Sequence, residues 1–226
     1  MTDAPLISVI VPLHNHRDTV GEALESILEQ DHRPLEVLVV DNGSTDGGGE
    51  VLAAYTPRVR LLSKTHGPGG SARNLGFEAS RGELIAFFDA DDLLPPGRLR
   101  RHVRALEADS SLDGVYGDVV AFREEPRPWR GAPQPARLPG SMTLRRSAVE
   151  RTRFDPQARQ GEVVDWVARL EEAGARLAHV PGEALLRRLH RGNHGIDADM
   201  HDYARQLKAM LDRRRAREQS HARETQ

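Results

Sequence analysis

Short apolar runs alternate with amphipathic segments along the first part of the chain. Runs rich in valine, isoleucine and leucine at residues 6–13, 35–41, 59–62 and 84–88 predict strands buried on both faces of a sheet. Between these runs, apolar residues recur at helical spacing over residues 19–30, 50–55 and 70–80. Strands that alternate with helices indicate βαβ crossovers, so we predict an α/β fold with a mostly parallel central sheet flanked by helices.

The pattern is less regular in the second part of the chain. Residues 123–140 are rich in proline and arginine, which predicts an irregular loop on the acceptor side rather than a helix or central strand. A helix is predicted over residues 161–174 and a short strand over 184–189. A terminal helix from residue 196 would carry one apolar stripe, which must pack on its own domain, on a second copy as in a homodimer, or on a partner. The stripe consists of Met200, Tyr203, Leu207 and Met210.

Polar side chains directly follow three of the predicted strands. They are His14 and Asn15, then Asp41 and Asn42, and finally the acids Asp89, Asp91 and Asp92. Because ligands of parallel sheets collect beyond the carboxyl ends of the strands, we expect these groups to line one crevice. Neighbouring carboxylates repel unless a cation or a proton intervenes, and their hard oxygen atoms suit Mg²⁺ or Mn²⁺. The alternative is a solvated acidic turn that caps the following helix.

Composition narrows the class of protein. The chain has 226 residues, 38% of them hydrophobic, which is enough for one α/β domain with or without an extra lobe. A formal net charge of −2 gives no reason to expect a nucleic-acid partner, and the lack of cysteine excludes disulfides, thiolate zinc sites and a cysteine nucleophile. The first residues lack the positive charge of a signal peptide, and no apolar stretch reaches bilayer length. We therefore expect a soluble, cytoplasmic protein without a transmembrane segment.

Five blocks of sequence carry a family resemblance. They read ISVIVPLHN, VLVVDNGSTDG, GPGGSARNLG, GELIAFFDADDLLPPGRL and GEVVDWVARLEEAG. In order and spacing they resemble the family 2 glycosyltransferases of the GT-A (Rossmann-like) fold. The resemblance implies a domain over residues 1–195, with a nucleotide-sugar half at 1–118 and an acceptor-side half at 119–195, and a helical tail at 196–226. It also implies a metal-assisted, inverting enzyme that uses a nucleotide-sugar donor, UDP-linked in our interpretation, and a glycan, lipid or peptide acceptor.

Such an enzyme needs a polar-edged slot for the nucleotide base. Residues from Pro12 through His14 to Asn15 would supply the slot, together with Asp41 and Asn42. Either of these last two could accept the imide N–H of uracil or thymine, although Asp41 could instead close an Asx-turn. His14 stands where the family usually has tyrosine, and Asn42 replaces the second acid of the usual VDDGS. The aromatic ring is kept, but recognition of the base could be looser.

Further residues would hold the diphosphate and the metal. Asp91 and Asp92 are predicted metal ligands, and Asp89 is predicted to contact the donor. Arg73 would reach a phosphate or the acid cluster rather than form a surface salt bridge. Asn74 would hold the ribose or cap backbone groups.

The segment LLRRLHRGNHG resembles the RxHxxN element that closes the donor site in many relatives. It makes His190 a candidate metal or diphosphate ligand and Arg187 or Arg188 a candidate phosphate contact. A structural hydrogen-bonding role for His190 is the alternative.

The expected catalytic base is missing from its usual place, where Val163 replaces the family's aspartate. Glu162 is the first candidate to replace it, because its extra methylene could restore the lost reach. Asp165 is the second candidate, and helix capping or pairing with Arg169 is its alternative role. The QxxRW motif of processive synthases is absent, which favours an enzyme that adds a single sugar.

Two other functions stay open at this point. A catalytically silent module that binds nucleotide sugars or glycans would explain Val163. A nucleotidyltransferase would share the parallel sheet and acidic metal site, but such enzymes usually carry a glycine-rich loop with arginine and lysine after the first strand. The segment PLHNHRDTV supplies no such loop. Metal-dependent hydrolysis of a donor would separate a transferase from a binding module.

Overall fold

The computed structural model describes residues 4–124, 127–158 and 161–190. Within these ranges the strands are β1 (Ile7–Leu13), β2 (Leu35–Asp41), β3 (Arg60–Ser63), β4 (Leu84–Phe87), β5 (Gly114–Arg123), β6 (Trp129–Arg130), β7 (Gln134–Pro135), β8 (Met142–Arg145) and β9 (Leu177–Arg188). The helices are α1 (Val20–Leu28), α2 (Gly48–Ala53), α3 (Gly69–Ala79), α4 (Arg98–Ala108), α5 (Arg146–Arg151) and α6 (Glu162–Glu172), with a 3₁₀ turn at Pro139–Ser141.

All of these strands belong to one mixed sheet with the order β3-β2-β1-β4-β8-β5-β6, and β7 and β9 also pair with β5. Strands β3, β2, β1 and β4 are parallel to one another. Strand β8 is antiparallel to both β4 and β5, whereas β9 is parallel to β5. Because β1, β2 and β4 are parallel neighbours, the polar residues that follow them lie at one edge of the sheet.

The apolar strands are covered on both faces. Successive strand residues point to opposite faces, so Val9 and Val11 pack in one apolar cluster and Ile10 in the other. Helices α1, α2 and α4 contribute to the first cluster, and α3, α5 and α6 to the second. Helix α3 lies close to β1 because Gly76 has no side chain: a Cβ there would lie 2.4 Å from Ile10 Cγ2. This close packing holds the second half of α3 against β1.

The structure confirms the predicted α/β class, the first four strands and three helices, and the later helix and strand at α6 and β9. The sequence pattern missed α4, α5, β5 and β8. The irregular loop predicted at 123–140 is wrong in part, because β6, β7 and the start of the 3₁₀ turn lie within it. Both strands are two residues long, and among the described residues they pair with β5 alone. Proline cannot donate to a sheet ladder, which fits such short pairings.

The predicted terminal helix and its apolar stripe lie outside the described residues. The boundary predicted at residue 118 falls inside β5, so the two predicted halves share one sheet. No helix within the described ranges is long and apolar enough to span a membrane.

Candidate active site

The loops after β1 and β2 are joined by side-chain hydrogen bonds. Asn15 adopts a left-handed conformation (φ 55°), which asparagine tolerates better than most residues. Its Oδ1 accepts the Thr45 N–H at 2.8 Å, and its own N–H donates to Ser44 Oγ at 3.2 Å. Asp41 Oδ1 accepts the Ser44 N–H at 2.9 Å, a bond that spans three residues where an Asx-turn spans two, so Asp41 holds the loop after β2 in another way. Residues from both strand ends therefore form one rigid rim.

Two histidines stack at this rim. The rings of His14 and His66 are stacked with centroids 4.0 Å apart, and the Nδ1 atom of each lies 3.1–3.2 Å from the Asn42 carbonyl oxygen. His66 thus covers one face of the ring that the sequence assigned to stacking on a nucleotide base. Gly43 makes this approach possible, because a Cβ there would lie 2.8 Å from the backbone nitrogen of His66.

The side chain of Asn42 is buried and holds the loop that follows β3. Its Nδ2 donates to the Gly67 carbonyl at 2.7 Å. Its Oδ1 accepts hydrogen bonds from Lys64 Nζ at 2.8 Å and from the Gly67 N–H at 3.1 Å. The amide predicted to contact a base is therefore engaged with protein groups. Because it binds Asn42, Lys64 adds a positive charge to the slot predicted for the nucleotide base.

Arg73 connects the acid cluster to the start of α6. Its side chain is 7% exposed, and its Nη2 lies 2.7 Å from Asp89 Oδ1 while its Nη1 lies 2.5 Å from Glu162 Oε1. Burial alone would lower the pKa of Arg73, but the charges of Asp89 and Glu162 outweigh burial and raise the pKa above its ordinary value. The guanidinium therefore stays charged. Of the roles that the sequence suggested for Arg73, the structure shows the contact with the acid cluster, through Asp89.

Glu162 also contacts the amino terminus of α3. Its Oε2 accepts the Gly70 N–H at 2.9 Å. A Cβ on Gly69 would lie 2.7 Å from Glu162 Oε1, so a larger residue there would displace the carboxylate from this position. Asp165, the second candidate base, is nearly buried, and its Oδ2 accepts a hydrogen bond from Arg169 Nε at 2.8 Å. The helix pairing considered for Asp165 is thus present.

Asn74 caps backbone groups, which is the second of the two roles considered for it. Its Nδ2 donates to the Phe154 carbonyl at 2.9 Å, and its Oδ1 accepts the Phe154 N–H at 3.1 Å. The amide therefore fastens α3 to the segment before α6. Pro12, at the other side of the slot, lies within β1 opposite Val40 of β2.

Arg188 joins the end of β9 to residues 89–92, which carry the three acids and which we call the acid loop. Its N–H donates to Asp92 Oδ1 at 2.9 Å and its Nε donates to the Asp91 carbonyl at 3.0 Å. Its guanidinium also pairs with two half-exposed carboxylates, Glu22 at 2.5 Å and Glu124. Burial raises the pKa of Asp92 well above its ordinary value, and the charges of Asp91 and Asp89 raise it further, while the Arg188 N–H opposes the rise. A cation beside this loop would relieve the repulsion.

Three side chains form a group that could hold a metal ion. They are His16, Asp91 and His190, whose candidate ligand atoms all lie within 4.8 Å of one another. His190 Nε2 lies 2.9 Å from Asp91 Oδ2, and the rings of the two histidines meet edge to face with centroids 6.2 Å apart. Two imidazoles and one carboxylate are a known ligand set for divalent transition metals. Among the described residues this group includes Asp91 and His190 as predicted, but not Asp92.

The sequence reasoning missed His16, Lys64 and His66. His16 lies two residues beyond the His14 that the sequence singled out, so its position after β1 was a usable signal. Lys64 and His66 follow β3, which ends at the same edge of the sheet as β1 and β2. The rule that identified the other strand ends could have found them too.

The sequence matches the family model described as glycosyl transferase family 2 over residues 8–163, which is more than half of the chain. The chain belongs to this family and is a glycosyltransferase domain. It is 42% identical over 122 residues to the succinoglycan biosynthesis protein ExoO of Rhizobium meliloti (strain 1021), an alignment that covers 52% of this chain and 35% of ExoO.

Two solved structures have a similar fold. One is S. aureus TarS 1-349 in complex with UDP-GlcNAc, with a TM-score of 0.68 and 21% identity, covering 85% of this chain and 61% of that one. The other is the mannosyltransferase PcManGT from Pyrobaculum calidifontis in complex with GDP-Man and Mn²⁺, with a TM-score of 0.65 and 23% identity, covering 85% and 59%. These likenesses show the GT-A fold. The chain spans about a third of the length of ExoO.

Proposed function

We propose that this domain transfers one sugar from a nucleoside-diphosphate sugar, with UDP as the nucleotide, to an acceptor hydroxyl with inversion at the anomeric carbon. The observation that carries the proposal is the convergence of three parts at one sheet edge: the rim after β1 and β2, the group of His16, Asp91 and His190, and the Arg73–Glu162 pair. A nucleotide-sugar transferase needs a slot for the base, a site for the diphosphate and a proton acceptor.

The donor's diphosphate would lie between the metal group and the basic side chains. A divalent ion supplies electrostatic stabilisation of the leaving diphosphate when it is bound. Arg188, which already contacts the acid loop, supplies a positive charge on that side. Its present partners, Glu22 and Glu124, have side chains that are 61% exposed and could move aside for a phosphate. The complexes of TarS with UDP-GlcNAc and of PcManGT with GDP-Man support a nucleotide-sugar donor.

The metal group favours a transition metal over Mg²⁺. Mg²⁺ takes oxygen ligands and keeps several waters, whereas imidazole nitrogen suits transition metals. Two of the three side chains in the group are histidines. Together with the Mn²⁺ in the PcManGT complex, this supports Mn²⁺ as the cofactor, held by His16, Asp91 and His190.

Glu162 is our proposed general base. The acceptor oxygen would attack the anomeric carbon as the bond to the diphosphate breaks, and Glu162 would take the hydroxyl proton. The Arg73 guanidinium bridges the Glu162 carboxylate and Asp89, which follows β4. Asp165 is held by Arg169, which itself donates to the Arg153 carbonyl, so that carboxylate is anchored to its own helix.

The test is a screen of UDP-, GDP- and dTDP-sugars for release of nucleoside diphosphate with Mn²⁺, with Mg²⁺ and with EDTA. We expect hydrolysis of a UDP-sugar that requires a divalent ion and is faster with Mn²⁺. Asp91→Asn should abolish it, whereas Asp109→Asn, at an exposed aspartate after α4, should leave it intact. Full activity in EDTA would refute the metal site, and a preference for GDP- or dTDP-sugars would refute the UDP assignment.

A silent nucleotide-sugar-binding module is the second candidate. It is favoured by Val163 at the usual base position and by the engagement of both Glu162 oxygens with Arg73 and Gly70. Such a module would be stabilised thermally by a nucleotide sugar and metal but would release no nucleoside diphosphate. The same screen, read by melting temperature as well as by product, separates the two functions.

A further inference from the structure

An apolar surface lies beside the metal group and has no role in the donor site described above. Its lining includes Leu93, Phe122, Trp129 and Leu186, and two arginines, Arg123 and Arg130, stand in the same wall. Together they border an open hollow of about 430 Å³, a volume in the range of small-molecule sites. We call this surface the Trp129 shelf.

Trp129 is the unusual member of the shelf. It is 50% exposed and shares one lining with Phe122 and Leu186, and apolar patches rimmed by polar residues mark interaction sites. It stands in β6 opposite Arg123 of β5. Gly131 leaves room for the indole, since a Cβ there would lie 3.0 Å from Trp129 Cη2. The ring is thus held in place by backbone while half of its surface faces solvent.

The shelf is continuous with the metal group. The Arg188 guanidinium lies over the Phe122 ring, 5.0 Å from its centroid, and Arg188 Nε donates to the Asp91 carbonyl. Leu93 and Leu186 exchange two backbone hydrogen bonds of 3.0 and 2.9 Å. Leu93 is two residues from Asp91, which is at most about 7 Å along an extended chain. A molecule on the shelf would therefore lie next to the loop that carries Asp91.

The chemistry of the shelf fits a saccharide. A pyranose ring has an apolar C–H face that stacks on an aromatic ring, and hydroxyls at its edge that accept hydrogen bonds from guanidinium groups. Arg130 is fixed for such a role by two contacts of its Nη2 with the Glu183 carboxylate, at 2.7 and 2.6 Å. An alkyl chain would cover the same surface but would desolvate two arginines without offering them an acceptor.

We propose that the Trp129 shelf binds the acceptor saccharide, with its sugar ring stacked on the indole and a hydroxyl of that saccharide directed toward the anomeric carbon of the donor. The inference rests on the proposed transferase function and names the substrate class that this function would use. It assigns Trp129 the role of an acceptor-binding residue.

The first test uses Trp129 as its own probe. The chain has two tryptophans, and the other, Trp166, is fully buried, so acrylamide quenching reports on Trp129. Quenching is measured with the methyl glycosides of glucose, galactose, N-acetylglucosamine and glucuronic acid, and with decyl phosphate below its micelle concentration. At least one glycoside should lower the quenching constant by about half, because bound ligands bury most of their surface. Protection by decyl phosphate alone, or by none of the probes, would overturn the proposal.

The second test measures transfer to the glycoside that protects Trp129 best. Trp129→Ala should raise the KM for that glycoside roughly 3- to 10-fold, as expected for one aromatic contact, while Trp129→Phe should raise it less. Leu61→Ala is the matched control, because Leu61 is 46% exposed on β3, at the other end of the sheet. An equal loss of donor hydrolysis in Trp129→Ala would overturn the proposal by showing a general structural role. Glycoside protection in a protein that hydrolyses no donor would support the shelf and refute the transferase function.

Discussion

Arg73 and Glu162 form a buried ion pair between α3 and α6, with 2.5 Å between Arg73 Nη1 and Glu162 Oε1. The same guanidinium binds Asp89 at the end of β4. One side chain therefore sets the distance between the acid loop and the proposed base. The sheet supplies the acid loop and the two helices supply the other partners, so the site depends on this arginine for its geometry.

Removal of Arg73 should destabilise the fold. Arg73→Met would leave Glu162, with a side chain only 13% exposed, without its buried counter-charge. We expect the free energy of unfolding, measured in urea, to fall on the order of 3 kcal/mol, as when one partner of a buried pair is lost. Arg100→Met removes an exposed pair with Asp31 and should cost under about 1 kcal/mol. Equal losses in the two variants would contradict the role assigned to Arg73.

Glu162→Gln should lower turnover with little change in donor affinity. A glutamine can still accept the Gly70 N–H but cannot accept a proton, so we expect a loss of about 10²–10⁴-fold in kcat. Donor dissociation constants come from calorimetry and turnover from single-sugar transfer. Val163→Asp restores an acid at the neighbouring position and should recover part of the activity in the Glu162→Gln background. If Glu162→Gln is fully active, α6 supplies no base at this position.

The sheet could be predicted from sequence where burial makes strands continuously apolar. Strands β1, β2 and β4 are covered on both faces, which gives short runs made mostly of apolar residues. Strand β5 reads GVYGDVVAFR, with glycines, an aspartate and an arginine, and half of its residues are only partly buried. Helix α4 carries four arginines in RLRRHVRALEA, and one of them, Arg98, is fully buried. Simple periodicity does not identify such elements.

The candidate site could be predicted where it follows strands of the parallel sheet. The acid cluster and the rim residues were placed at one edge by topology alone. The partners of those residues could not be predicted, because they depend on long-range packing. The pairing of Arg73 with Glu162 joins positions 89 residues apart, and that of Asp91 with His190 joins positions 99 apart. The stack of His14 on His66 is of the same kind.

Loss of His16 should weaken Mn²⁺ binding more than Mg²⁺ binding. If His16 is a metal ligand, His16→Gln removes one of two imidazoles, and we expect Mn²⁺ affinity in the absence of a donor to fall at least about tenfold. Mn²⁺ binding is measured by electron paramagnetic resonance and Mg²⁺ binding by competition. His179→Gln is the control, because His179 pairs with Asp118 outside this group. Equal weakening of both ions, or none, would remove His16 from the metal site.

The last prediction concerns a buried histidine away from the site. His102 of α4 is fully buried, and its Nδ1 lies 3.0 Å from Thr143 Oγ1. Burial lowers the pKa of His102 well below 6.5, and the nearby charges of Arg98 and Arg101 lower it further. Arg98, also fully buried, has a pKa lowered to about 9, by burial first and by Arg101 second. The folded protein therefore keeps His102 neutral where the unfolded chain would bind a proton.

This difference should make stability depend on pH. Above pH 6.5 both states hold a neutral imidazole and the protein has its full stability from this group. As the pH falls below that value, the unfolded chain takes up a proton that the folded chain excludes, so the free energy of unfolding falls by up to about 1.4 kcal/mol per pH unit. His102→Gln keeps a partner for Thr143 without an ionisable group. Between pH 6.5 and pH 5 its free energy of unfolding, measured in urea, should fall less steeply than that of the unchanged protein, with a difference in slope of at most about 1.4 kcal/mol per pH unit. Parallel curves for the two proteins would show that His102 takes up its proton without unfolding.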